Sequence, residues 1–185
     1  MSNCGCNIDA VIDAAKKKNE SRVVNIQLLY LDLEVCEPCQ ETDNSLDTAL
    51  AEVSELLEKS GHAINLEKIH IDSEEKAIIH KFLSSPTIRI NGQDIQLNYK
   101  EDHCSTCSSL TEEASVDCRT WVYDGEEYQA PPKQMIIDSI LKYVYSNEKQ
   151  DLTKHSSYQL PDNLKVFFES QTNDKSSCCS NNSEC

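Results

Sequence analysis

Two cysteines, Cys36 and Cys39, stand two residues apart between an apolar segment and a segment with helical periodicity. A Cys-x-x-Cys pair at a strand-to-helix boundary is typical of thiol–disulfide exchange, in which Cys36 attacks and Cys39 resolves the mixed disulfide. Cys36 would lie at the helix N-terminus, where unpaired N–H groups and the helix dipole favour a thiolate. The same two sulfurs could bind a soft ion or be inert thiols, so three interpretations stay open.

Three further cysteines follow in or beside a polar segment: Cys104, Cys107 and Cys118. Together with the neighbouring His103, their spacing could provide tetrahedral zinc ligation. Adjacent His103 and Cys104 rarely bind one ion together, however. A redox relay, in which Cys104 or Cys107 exchanges with Cys118 or with the Cys36 pair, suits the same residues. A cysteine-rich loop without a fixed partner is the third interpretation.

The sequence ends in another thiol cluster, formed by Cys178, Cys179 and Cys185. Three thiolates on a flexible segment can surround a trigonal thiophilic ion such as As(III), because soft ligands select soft ions. Vicinal cysteines are strained when they pair with each other, so Cys178 and Cys179 make a poor disulfide. The Cys-Cys-x5-Cys spacing resembles the C-terminal cysteines of arsenic metallochaperones. A low-complexity tail rich in Ser, Asn and Cys is the alternative.

The cysteine content, the net charge and the length of the apolar runs exclude several classes of function. Ten cysteines occur in a sequence without the basic-then-apolar start of a signal peptide, so we expect a cytoplasmic, reducing location. In that compartment clustered thiols bind metals or act in catalysis more often than they form structural disulfides. The net charge of −15 argues against nucleic acid and anionic membrane surfaces as partners. No apolar run approaches the roughly 18 residues that a transmembrane helix needs.

The elements that must position the Cys36 pair can be predicted from apolar patterning. The run from Val23 to Leu33 predicts a buried strand. The segment after the pair predicts a long amphipathic helix, capped by Thr42 or Asp43 and ended by Gly61. Residues 66–71 predict a second strand, parallel to the first because the helix between them provides the crossover.

Turn and cap signals divide the rest of the domain. Asp72-Ser73-Glu74-Glu75 predicts a capping box for the next helix. Asn91-Gly92 and Asp124-Gly125 predict the turns of two hairpins. Pro131-Pro132 precedes the last predicted helix of the domain. The polar segment 97–118 is predicted to be a loop.

These signals predict three parts of the chain. Residues 1–21 form a polar lead-in with spacing suited to a short helix, and residues 22–147 form an α/β domain with a cysteine-rich inserted loop at 97–118. Residues 148–185 have the composition of a flexible, disordered tail. Within this tail, Leu160 to Phe168 is an apolar island that suits a short helix or a docking peptide.

The predicted element order resembles the thioredoxin fold over residues 22–146. Cys36-Glu37-Pro38-Cys39 is similar to the C-x-P-C form of the thioredoxin active site, and Ser85-Pro86 opens a stretch similar to the cis-proline strand of that family. The resemblance implies a central mixed sheet flanked by helices, with a partner groove shaped by Ser85 and Pro86. The domain also resembles a bacterial and archaeal thioredoxin-like family designated a domain of unknown function, through the stretches LYLDLEVCEPC, SSPTIRING and CRTWVYDGEEYQAPPK.

The sequence also departs from the thioredoxin pattern. Val35 stands where active thioredoxins usually carry Trp, and Asp32, Glu34 and Glu37 surround the cysteine pair with negative charge. Nearby carboxylates disfavour a thiolate and oppose the helix dipole.

Two functions from different classes therefore remain open. The first is a thiol–disulfide oxidoreductase that acts through Cys36 and Cys39 on a protein disulfide or dithiol and needs no cofactor. The second is a cytoplasmic chaperone or scavenger that binds arsenite, As(III), or a similar soft ion through clustered thiolates, with zinc as the ion considered for the loop that contains Cys104.

Overall fold

The computed structural model describes residues 22–103, 117–146 and 158–177. The predicted lead-in at 1–21 lies outside these ranges. The elements in chain order are β1 (Val23–Tyr30), α1 (Glu37–Lys59), β2 (Ala63–His70), α2 (Glu74–Ile79), β3 (Thr87–Ile90), β4 (Gln93–Asp94), β5 (Lys100–His103), β6 (Asp117–Tyr123), β7 (Glu126–Tyr128), α3 (Lys133–Tyr145) and α4 (Asp162–Ser177).

A mixed four-stranded sheet forms the centre of the fold, in the order β2-β1-β3-β4. Strand β1 runs parallel to β2, from the pair Val23↔Ala63 to the pair Tyr30↔His70, and antiparallel to β3. The parallel pairing requires a long crossover, which α1 provides. The predicted α/β class, with a mixed sheet flanked by helices, is confirmed.

Both predicted hairpins are present, and their turn residues explain why. Asn91 and Gly92 have φ values of 47° and 81°, and Asp124 and Gly125 have values of 54° and 86°. Two consecutive residues with positive φ are what a two-residue hairpin turn requires, and Asn-Gly and Asp-Gly adopt this geometry readily. The first turn joins β3 to β4 and the second joins β6 to β7.

The start of α1 corrects the sequence prediction. The helix begins at Glu37, with Cys36 as its N-cap residue, and not after a cap at Thr42 or Asp43. Thr42 is fully buried within the helix, where its Oγ donates a hydrogen bond of 2.7 Å to the carbonyl of Pro38. The helix therefore includes the Cys-x-x-Cys pair in its first turn, because Pro38 is compatible with that position.

Strands occupy both ends of the segment 97–118, which the sequence predicts to be a loop. Strand β5 pairs antiparallel with β6, from Lys100↔Thr120 to His103↔Asp117. With β7 these strands form a second, three-stranded sheet. Cys118 therefore lies on a strand, whereas Cys104 and Cys107 lie outside the described residues.

Buried apolar residues form two clusters. One cluster lies around α1, α3 and the middle of the central sheet, and includes Trp121 and Ile136. The other cluster contains the cysteine pair, Cys118 and apolar residues near the C-terminus. Of the helices in the described ranges, none is long and apolar enough to cross a bilayer.

Helix α4 occupies part of the segment 148–185. Its N-terminal half carries Leu164, Phe167 and Phe168, and these three side chains, like the preceding Leu160, are buried. Leu164, Phe167 and Phe168 recur at i, i+3 and i+4, which places them on one face of α4, and Leu160 precedes the helix. The apolar island predicted from the sequence is thus a helix that packs on the domain.

Candidate functional site

A tight turn leads from the end of β1 to the first cysteine. The Asp32 Oδ1 accepts hydrogen bonds from the backbone N–H groups of Glu34 (2.6 Å) and Val35 (2.8 Å). From the other side, Gln40 Nε2 donates to the carbonyls of Leu33 (2.9 Å) and Glu34 (2.8 Å). A short polar side chain that binds the backbone two and three residues ahead is a strong determinant of such turns. The turn fixes the direction in which the chain enters α1.

The cysteine pair lies in the first turn of α1. Cys36 has extended backbone angles of φ −79° and ψ 103°, and its carbonyl accepts the first helical hydrogen bond, of 3.0 Å, from the N–H of Gln40. The exposed fraction of both Cys36 and Cys39 is 0%. Cys36 thus lies at the N-terminal end of a 23-residue helix, the position that the sequence predicts for it. The dipole of a helix favours negative charge at this end.

Ser85 connects the second cysteine to two other elements. Its Oγ lies 3.4 Å from Cys39 Sγ and accepts a hydrogen bond of 3.1 Å from the N–H of Leu31. Its carbonyl accepts a hydrogen bond of 2.8 Å from the N–H of Arg119. The peptide bond from Ser85 to Pro86 is cis. The structure thus brings together the Cys-x-x-Cys pair and the Ser85-Pro86 stretch, which are far apart in the sequence.

The surroundings of Cys39 shift the acidity of its thiol. The pKa of Cys39 is raised far above its ordinary value, first by a hydrogen bond with Cys36, then by burial and by the charge on Cys36. The hydrogen bonds of Cys39 with Ser85 and with the backbone of Asp32 lower its pKa, but by less than the other causes raise it. A thiol that keeps its proton at Cys39 can donate it to the Cys36 sulfur, which stabilises a thiolate there.

A third buried thiol belongs to the same apolar cluster. Cys118 is 5% exposed and directly precedes Arg119, whose N–H binds the Ser85 carbonyl. The other predicted zinc and As(III) ligands, namely Cys104, Cys107, Cys178, Cys179 and Cys185, lie outside the described residues. Within residues 22–103, 117–146 and 158–177, no group of three or more His, Cys, Asp or Glu side chains is arranged to hold a metal ion.

A buried arginine fixes the strand that carries Cys118. Arg119 is 1% exposed, and its two terminal nitrogens each donate a hydrogen bond of 2.8 Å to the Asp94 carboxylate. The guanidinium also lies 4.4 Å from the centroid of the Tyr99 ring and 5.1 Å from that of Trp121. A planar guanidinium suits this combination of bidentate pairing and stacking. Nothing local in the sequence marks Asp94 as the partner of Arg119, so this interaction could not be predicted from the sequence.

The C-terminal segment packs into the same apolar cluster, which could not be foreseen from the sequence. Leu160, Leu164, Phe167 and Phe168 belong to the apolar cluster that contains Cys36 and Cys39. Their helical spacing was a signal for an amphipathic helix, but a sequence pattern does not indicate which surface such a helix covers.

Comparison with known proteins identifies the family of the domain. The family described as Domain of unknown function (DUF2703) matches residues 24–140. No curated protein and no solved structure matches the chain. The matched range includes Cys36, Cys39, Ser85 and Cys118, whereas the buried residues of α4 follow it. Because the match extends over more than half of the sequence, the chain belongs to the DUF2703 family.

Proposed function

We propose that the protein is a thiol–disulfide oxidoreductase with a thioredoxin-like fold, which acts through Cys36 and Cys39. The observation that carries the proposal is the position of these two buried thiols at the N-terminus of α1, with Ser85 Oγ 3.4 Å from Cys39 Sγ. The raised pKa of Cys39, caused first by its hydrogen bond with Cys36, supports it. The element order, the mixed sheet and the cis peptide bond at Pro86 support the thioredoxin-like assignment.

The proposed reaction has two steps. The Cys36 thiolate attacks one sulfur of a partner disulfide, so that a Cys36–partner bond forms, the partner disulfide breaks and its second sulfur leaves as a thiolate that takes up a proton. Cys39 then loses its proton and attacks the Cys36 sulfur, which releases the second partner thiol. The partner gains two electrons and two protons, and Cys36 and Cys39 become a disulfide. The reverse sequence oxidises a partner dithiol.

Ser85 is assigned a positioning role in this proposal. Its hydroxyl group lies next to Cys39 Sγ and also binds the N–H of Leu31, so it holds the resolving cysteine against the end of β1. The partner groove that the sequence predicts at Ser85 and Pro86 remains part of the proposal. The N–H of Arg119 already donates a hydrogen bond to the Ser85 carbonyl. A partner would therefore contact other backbone groups or displace this hydrogen bond.

Two single-cysteine variants test the proposal. With a small disulfide such as hydroxyethyl disulfide, Cys36→Ser should lose exchange activity, because the attacking sulfur is absent. Cys39→Ser should accumulate a mixed disulfide on Cys36, detected by the mass of the peptide, because the resolving thiol is absent. Cys4→Ser removes one thiol outside the predicted sites and serves as the control. Exchange activity that survives in Cys36→Ser would refute the proposal.

The second candidate function, binding of a soft metal or metalloid, rests on thiol spacing in the sequence. Zinc at Cys104, Cys107 and Cys118, or As(III) at Cys178, Cys179 and Cys185, stays a prediction. Native mass spectrometry of the reduced chain titrated with arsenite tests it, with a chain ending near Glu169 as the comparison. Uptake of arsenic with loss of three protons by the full chain alone would support the tail site, and no uptake by either chain would exclude it.

A further inference from the structure

The proposed reaction requires access to Cys36, and the structure does not provide it. Both thiols of the pair have no exposed surface. The side chains in their apolar cluster come partly from the central domain and partly from four residues near the C-terminus, namely Leu160, Leu164, Phe167 and Phe168. These four lie beyond the range that matches the DUF2703 family, which ends at residue 140. These four residues of the cluster therefore lie outside the range that the family model matches.

The contacts of this segment with the domain are mainly apolar. Leu164 and Phe167 are each 1% exposed, whereas Val166, on the opposite face of α4, is 44% exposed. Two polar contacts accompany them: Tyr158 OH donates a hydrogen bond of 2.7 Å to the carbonyl of Phe82, and Asn163 Nδ2 donates one of 3.3 Å to Glu101. A single helix held by one apolar face and a few hydrogen bonds can separate from a domain while the domain stays folded.

We infer that the segment 158–170 is an autoinhibitory cover over the Cys36–Cys39 dithiol, an inference that rests on the proposed function. In the closed form its apolar face fills the space that a partner disulfide needs in order to reach the Cys36 sulfur. Exchange with a protein disulfide then requires displacement of α4, and the rate of exchange depends on how often the cover opens. A partner with an apolar segment of its own can compete for the same surface and so open the site.

The cover can be tested by measuring the access of a small reagent to the thiols. The full reduced chain is treated with iodoacetamide, and alkylation of the peptide that contains Cys36 and Cys39 is followed over time by mass spectrometry. The variant Leu164→Ala/Phe167→Ala removes apolar contacts from the buried face of α4, and Val166→Ala is the matched control on its exposed face. Loss of two large buried side chains should accelerate alkylation at least about tenfold. The control should react as the unmodified chain does.

A milder variant decides the question if the double variant fails to fold, as judged by circular dichroism. Tyr158→Phe removes one hydrogen bond to the domain and keeps the aromatic ring, and it should accelerate alkylation several-fold. Tyr145→Phe, at the exposed end of α3, is its control. Alkylation that is as fast in the unmodified chain as in the double variant would overturn the inference. If the double variant does not fold, equal alkylation rates for Tyr158→Phe and its control Tyr145→Phe would also overturn the inference.

The same samples separate this inference from the proposed function. If opening the cover accelerates both alkylation and reduction of hydroxyethyl disulfide, the cover and the oxidoreductase proposal are both supported. If alkylation accelerates and no disulfide is reduced, the cover is supported and the oxidoreductase proposal fails.

Discussion

At the scale of single residues, the site depends on Ser85. This one side chain binds the N–H of Leu31, contacts the sulfur of Cys39 and is followed by the cis bond to Pro86. The pairing of Cys36 with Cys39 could be predicted from their spacing in the sequence, because two residues between them place both in one helical turn. The contact with Ser85 could be expected only through the resemblance to a known fold, since 46 residues separate Ser85 from Cys39.

Ser85→Ala should lower the free energy of unfolding of the reduced protein by about 1–3 kcal/mol, because the buried N–H of Leu31 loses its acceptor. Urea unfolding monitored by circular dichroism measures the change. Ser54→Ala on the exposed face of α1 is the control and should change stability little. An equal effect of the two substitutions would show that Ser85 does not support the site.

The raised pKa of Cys39 predicts a dependence of stability on pH. In the unfolded chain this thiol begins to lose its proton near its ordinary pKa of 9.0, whereas the folded protein retains the proton. The folded state then binds more protons, so the free energy of unfolding falls as pH rises above about 9. Below that pH the contribution of Cys39 is constant.

Thermal unfolding of the reduced protein and of Cys39→Ala, followed from about pH 7.5 to about pH 10.5, isolates this contribution. The unmodified protein should lose more stability over the alkaline half of the range than the variant. Tyr123 and Tyr158, whose pKa values are raised to about 12 by a hydrogen bond to Asp138 and by burial respectively, are present in both proteins and cancel. If the stability of the two proteins falls equally with pH, the assignment of a protonated Cys39 is contradicted.

At the scale of elements, local signals predicted the local structures. The turns at Asn91-Gly92 and Asp124-Gly125 and the parallel pairing of β1 with β2 follow from residue type and connection length. The predicted position of Cys36 at the N-terminus of α1 is confirmed, whereas the predicted cap at Thr42 or Asp43 is wrong. Thr42 and Asp43 are good caps by residue type, but the turn at Asp32 places Cys36 at the cap position. Contacts between distant elements, such as the ion pair of β4 with β6 and the packing of α4 in the apolar cluster that contains the cysteine pair, have no local signal.

The ion pair that joins β4 to β6 should be important for stability. Asp94→Ala leaves the buried guanidinium of Arg119 without its counter-charge and should cost about 3–5 kcal/mol of unfolding free energy. Glu52→Ala breaks the exposed pair with Lys133 and should cost less than about 1 kcal/mol. Chemical denaturation of both variants makes the comparison. Similar small losses would mean that Arg119 finds other partners once Asp94 is removed.

At the scale of the whole molecule, charge should select among disulfide substrates. The sequence has a net charge of −15, and Glu34 and Glu37 are exposed beside the buried Cys36. A field of this sign attracts cations and repels anions, and salt screens it. Cystamine, which is cationic, should therefore react at least about tenfold faster than the anionic 3,3′-dithiodipropionate at low ionic strength.

Stopped-flow measurement of both reactions at about 0.01 M and about 1 M salt tests this expectation, because the screening length falls from about 30 Å to about 3 Å. The difference between the two disulfides should shrink at high salt. Equal rates at low salt would show that the acidic surface does not act at the dithiol.

The proposed function requires Cys36 and Cys39 to form one two-electron redox couple in the folded chain. Equilibration of the full protein with dithiothreitol buffers of graded potential, followed by alkylation and peptide mass spectrometry, measures it most directly. The account predicts a single two-electron transition in which the peptide containing both residues changes from two alkylated thiols to an internal disulfide. A peptide that keeps two alkylated thiols across the whole range, or that links Cys36 to another cysteine instead, would contradict it.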